Sequence, residues 1–144
     1  MAWLVSLLFF SPAFANPVTS ELHGVWQYDG FFYEGHRYPN PNPNLILRMT
    51  FTKDGIEELF WTHTDQVGTC DRKATYALKD DTLIAQVFWV DSNNGSECSK
   101  DPDMQPNRWT ENRILIQGQG EAEELHLILQ LHNENFDYIL KRVR

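Results

Sequence analysis

The chain is short of cysteine, short of basic residues and lacks any long apolar run, and each shortage excludes a class of protein. Two cysteines, Cys70 and Cys98, are too few for a thiolate metal centre. An even pair points instead to one disulfide in an oxidising compartment, with two buried free thiols as the alternative. Twelve Lys and Arg stand against 20 Asp and Glu, for a formal net charge of -8. That balance argues against nucleic acid or an anionic membrane surface as partner. The longest apolar run, about ten residues at the N-terminus, is half of the roughly 20 that a membrane-spanning helix needs.

Catalytic and metal-binding patterns are missing as well. No Gly-x-Ser-x-Gly, phosphate loop or spaced carboxylate pair occurs, and Glu57 and Glu58 fall on opposite faces of a strand. The histidines, His23, His36, His63, His126 and His132, show no metal-ligand spacing, and the last two fall on the solvent side of a Leu-rich strand. Asp91-Ser92-Asn93-Asn94-Gly95 comes near a calcium loop but places its glycine one position early and has no ordered downstream ligands. Asn94-Gly95-Ser96 forms a glycosylation sequon, meaningful only in a eukaryotic source. The expectation is a protein without enzymatic activity, metal or cofactor.

What is present begins with MAWLVSLLFFSPAFA, residues 1 to 15. An uncharged apolar stretch, a helix-breaking Pro12 and the small-x-small ending Ala13-Phe14-Ala15 have the shape of a signal peptide, although no Lys or Arg precedes the apolar part. The expectation is cleavage after Ala15 and export to the periplasm or the extracellular space. Residues 16 to 144 then form a single domain, large enough for one core.

Beyond Pro17, short runs of β-branched, aromatic and aliphatic residues alternate with Gly, Asn, Asp and Pro clusters. These predict eight strands, over 22–28, 45–53, 56–64, 69–78, 82–90, 109–117, 124–132 and 136–143. Leu45, Leu47, Met49 and Phe51 share one strand face, and Leu125, Leu127, Leu129 and Leu131 share another. Short turns make neighbours antiparallel, and a meander of eight strands removes its two exposed edges by closing. The predicted fold is therefore all-β, an eight-stranded antiparallel up-and-down barrel. Two connections, 31 to 44 and 91 to 108, are long enough to act as lids or to remain solvated connectors.

His23-Gly24-Val25-Trp26 opens the first strand and Tyr138-Ile139-Leu140-Lys141-Arg142 nearly closes the last. In these two motifs the chain resembles the lipocalins, which place a Gly-x-Trp at the start of the first strand and an Arg near the end of the last. Its length and the lack of a helix between the last strands make it look more like the compact bacterial lipocalin-like domains. The resemblance implies that Gly24, Trp26 and Arg142 are structural, with the guanidinium packed on the indole at the closed end.

If the barrel closes, Cys70, Arg72, Ala74, Tyr76 and Leu78 line its interior along the fourth predicted strand. Arg72 then either fixes a carboxylate-like head group or pairs with an Asp or Glu near the rim. Trp61 and His63 share a face, as do Leu83, Ala85, Val87 and Trp89, and they supply aromatic walls or dry core packing. The first functional expectation is a small apolar or amphipathic ligand held by Trp61, His63, Arg72, Tyr76 and Trp89. The alternative is a filled scaffold, such as an inhibitor of a cell-wall hydrolase, whose loop around Glu97, Asp101 and Asp103 meets a basic protein.

Overall fold

The computed structural model describes residues 21 to 131 and 134 to 144. The expected leader, its cleavage point and His132 lie outside the described residues. Nine strands follow in order: β1 (Gly24–Tyr33), β2 (His36–Pro39), β3 (Leu45–Phe51), β4 (Ile56–His63), β5 (Thr69–Lys79), β6 (Thr82–Val90), β7 (Trp109–Gln117), β8 (Glu124–Leu131) and β9 (Glu134–Val143). Every pairing is antiparallel, and β1 joins β3 on one side and β9 on the other, so eight strands close into a barrel. Closure leaves no unpaired edge in the ring. No helix among the described residues is long and apolar enough to cross a membrane.

The ninth strand is one that the residue pattern hides. The predicted loop over 31 to 44 is strand at its start, because β1 runs on to Tyr33 and turns back as β2, pairing Phe31 with Tyr38 and Tyr33 with His36. Glu34 and Gly35 make the turn with φ of 48° and 76°, the left-handed pair that matches the twist of a two-residue hairpin. Only residues 40 to 44 remain a connector. There the Asn40 side chain accepts from the Asn42 amide and the Asn42 side chain from the Asn44 amide, 3.0 and 3.1 Å, which shapes the Pro/Asn repeat into successive tight turns.

Alternation sends one face of each strand inward, and Met49, Phe51, Leu59, Leu83, Ile114 and Leu125 form the buried core with Trp26. Each such side chain contributes about 1.5–3 kcal/mol by leaving water. Trp26 is wholly buried and donates from Nε1 to the Leu22 carbonyl at 2.8 Å. Its register partner on β9 is Arg142, whose guanidinium carbon lies 4.1 Å from the indole centre. Arg142 also donates to the His23 carbonyl at 2.6 Å, to Glu123 at 2.6 and 3.0 Å, and to the Glu21 carbonyl. Gly24 is needed for two reasons: its φ is +126°, and a Cβ there would stand 2.7 Å from Arg142 Nη1. The closed end is thus a plug of Trp26 and Arg142.

Two bulges re-aim side chains. Register slips between Tyr28 and Gly30 on β1, and on β6 Val87 pairs with Ala74 while Trp89 pairs with Lys73. Phe88 is the extra residue. The expectation that Trp89 shares the inward face of Val87 is corrected here, because one added residue reverses the faces beyond it. Val90 takes the inward register opposite Arg72, and Trp89 lies outside with the Lys73 ammonium 5.2 Å from its ring.

Candidate functional site

The barrel is not filled. Between its walls lies a cavity of about 290 Å³, lined on its apolar side by Leu47, Met49, Leu59, Leu83, Leu127 and Leu129. Thr110, Asn112 and Gln130 add neutral polar groups, and Tyr138 stands beside them. The exposed Arg108 and Gln130 belong to the same lining, so the cavity opens to solvent.

One wall carries a buried ion pair. Glu57 on β4 and Arg72 on β5 both face inward and both line the cavity. Arg72 Nη1 lies 2.8 Å from Glu57 Oε1, with the side chains 6% and 2% exposed. Arg72 Nε also donates to the Asp103 carbonyl at 3.1 Å. Burial holds the Glu57 carboxyl above the usual carboxylate range, against the opposing pull of Arg72. The sequence reading leaves Arg72 either to a ligand carboxylate or to a protein carboxylate. The structure supplies the protein one, in the interior rather than at the rim.

The connection over 91 to 108 covers this end of the barrel. It folds as two 3-10 turns, Ser96–Lys100 and Pro102–Met104. Cys98 is bonded to Cys70 with their Cα atoms 5.5 Å apart. Met104 is buried in the core, and the Asp101 carboxylate caps the second turn by accepting from the Asp103 amide at 2.9 Å. Asn94, the sequon residue, has both ends of its side chain on the Asp71 backbone, at 2.7 and 3.0 Å. Its amide is a structural tie between the loop and β5. The loop's charges are partly matched within it, Glu97 by Lys100 at 2.8 Å and Asp103 by Arg108 at 3.5 Å.

Of the five ligand contacts expected from the residues, Arg72 alone lines this cavity. Tyr76 faces inward but packs edge-on against Phe51 and donates to the Thr52 carbonyl at 2.9 Å. Trp61 and His63 meet edge to face at 5.7 Å and line a separate hollow beneath the disulfide loop, with Gln66, Glu97, Lys100 and Asp101. Trp61 Nε1 is buried there without a hydrogen-bond partner among the described residues. Trp89 is outside.

Sequence reasoning missed three contributors. Glu57 was legible, since it shares strand parity with Trp61 and His63. The second is an aromatic row beside the cavity: Phe31 stacks on Phe136 at 4.7 Å, Phe136 meets Tyr138 at 5.3 Å, and Tyr138 meets Tyr28 at 5.2 Å. Burial pushes the Tyr28 hydroxyl up to about 12 and raises that of Tyr138, to which Asp103 and Asp101 of the loop also contribute. The third is the polar pair Thr110 and Asn112, which alternation on β7 carries inward. His126 does point outward as expected, yet it is only 4% exposed: Gln117 lies 2.6 Å from its Nε2 and the Phe32 ring stacks 6.1 Å away.

No protein-family model matches the chain, and no curated protein matches it. Solved structures do. A lipocalin-like protein from Bacteroides uniformis ATCC 8492 matches 85% of this chain and 99% of its own, with 16% identity and a TM-score of 0.56. An uncharacterized protein from Bacteroides eggerthii DSM 20697 matches the same shares at 14% identity and a TM-score of 0.54. At these identities the likeness is one of fold. The all-β closed barrel is lipocalin-like.

Proposed function

We propose that this lipocalin-like barrel is an exported, non-catalytic binding protein that holds one small amphipathic molecule in its interior. The cavity of about 290 Å³ is the observation that carries this reading. It lies just under the range for small-molecule sites, about 300–1,000 Å³, and sets an apolar wall of leucines and Met49 against a polar one, as suits an amphipathic molecule. It is also about twice the roughly 150 Å³ cavity that admits benzene, which suits a ligand of about a dozen non-hydrogen atoms. The Cys70–Cys98 bond supports export, because disulfides persist in oxidising compartments.

The other reading, a basic protein docked on the acidic loop, has less support. Lys100 and Arg108 already neutralise part of the charge that Glu97 and Asp103 would present. Calorimetric titration with octan-1-ol tests the proposal. Saturable one-to-one binding that disappears in Leu129→Trp, a substitution that fills the cavity, is expected. Heat unchanged by that substitution would place any binding outside the barrel.

A further inference from the structure

The charged groups around the cavity are matched in pairs. Among the described residues four charged side chains line it, and Glu57 faces Arg72 while Asp103 faces Arg108. A ligand that carries a full charge would have to leave water for a site with no net charge to receive it, and that transfer is costly without a partner. The wall is nevertheless not saturated. Glu57 Oε1 and Arg72 Nη1 contact each other, and Arg72 Nε is used by the Asp103 carbonyl. Both atoms of that contact are buried, yet neither Glu57 Oε1 nor Arg72 Nη1 has a hydrogen-bond partner among the described residues, so the pair keeps an acceptor and a donor to offer.

From this we infer that the ligand's polar end is uncharged and both donates and accepts a hydrogen bond, as an alcohol or a primary amide does, and that it seats on the Glu57–Arg72 pair. This rests on the proposed binding function and narrows it to a class of ligand. An acceptor in the head group takes an Arg72 N–H, and its own O–H or N–H is given to the Glu57 carboxylate. A carboxylate could satisfy Arg72 only by placing its charge beside that of Glu57. An ammonium would do the converse and press on Arg72. The tail runs along Leu47, Leu59 and Leu129, and Thr110 and Asn112 stand ready as further neutral partners.

The test uses the full chain and four probes of one chain length: octan-1-ol, octanamide, octanoate and octylammonium, titrated at pH 7 by calorimetry. The alcohol and the amide are expected to bind at least tenfold more tightly than either ion. Octanoate or octylammonium binding as tightly as the neutral pair would overturn the inference while leaving the binding function in place. Failure of all four to bind would overturn the binding function itself, and the inference with it. Glu57→Gln, nearly isosteric, then bares the Arg72 charge, and octanoate affinity should rise at least tenfold. If octanoate stayed as weak in that variant as in the native protein, the ion pair would not be the head-group site.

Discussion

Arg142 reaches across from the last strand to lie 4.1 Å from the centre of the Trp26 ring, and its guanidinium also donates to the carbonyls of Glu21 and His23 and to the Glu123 carboxylate. One side chain therefore ties the start of β1, the turn before β8 and the end of β9. A cation–π contact of this partly desolvated kind contributes about 2 kcal/mol. Trp26→Ala should destabilise by about 3–5 kcal/mol, as aromatic truncations in cores do. Arg142→Ala should cost less, and the double mutant should depart from additivity by about 0.5–3 kcal/mol. Denaturant melts of the two single variants and the double variant measure this. Additive effects would mean that the contact does not couple the two strands.

The disulfide links residues 28 apart and pins the covering loop to β5. In the chain-entropy model a closed loop of this size stabilises by roughly 3–4 kcal/mol. Cys70→Ser with Cys98→Ser should lower stability by that amount, read from urea midpoints at constant slope. No free thiol should be titratable in the unfolded, unreduced native chain.

Two carboxylates should give opposite pH dependence. Burial raises the Glu57 pKa, so the folded state binds its proton more strongly than the unfolded state does. Its contribution is favourable below the ordinary value of 4.5 and is lost as pH climbs through the raised folded value. The hydrogen bond from Arg142 lowers the Glu123 pKa, and that contribution is present above the ordinary range and lost as pH falls through the lowered value. Glu57→Gln should flatten the decline of stability above pH 4.5, and Glu123→Gln should soften the acid limb slightly. Melts from pH 3 to 8 separate the two.

Trp89 makes a sharp control. The residue is 39% exposed beyond the Phe88 bulge. Trp89→Ala should change stability by no more than about 0.5 kcal/mol, as surface substitutions do, and should leave octan-1-ol binding unaltered. A loss of binding in that variant would return Trp89 to the interior.

Much of the architecture was legible because period-two patterning and turn residues are local. The Leu45 to Phe51 and Leu125 to Leu131 alternations indicated two strands directly, the exposed edges of an eight-stranded meander argued for closure, and the roles of Gly24, Trp26 and Arg142 came from the resemblance to lipocalins. Where the reading failed, the cause was also local. A bulge adds one residue without a required residue type, and the run Val87-Phe88-Trp89-Val90 offers no alternation that could reveal it. The β2 strand, His36-Arg37-Tyr38-Pro39, is polar and exposed throughout, so it carries no apolar signal. Its hairpin depends on Glu34 adopting a left-handed conformation that glutamate seldom takes. The candidate site was harder still, since which inward residues meet depends on barrel stagger and not on sequence spacing.

A crystal soaked with 8-bromooctan-1-ol tests most directly whether the barrel interior holds the ligand. The anomalous bromine signal should appear as one peak inside the barrel, along the wall of Leu47, Leu59 and Leu129, with the hydroxyl oxygen within hydrogen-bond distance of Glu57 and Arg72. A bromine peak only on the outer surface, or none at saturating ligand, would contradict an interior binding site.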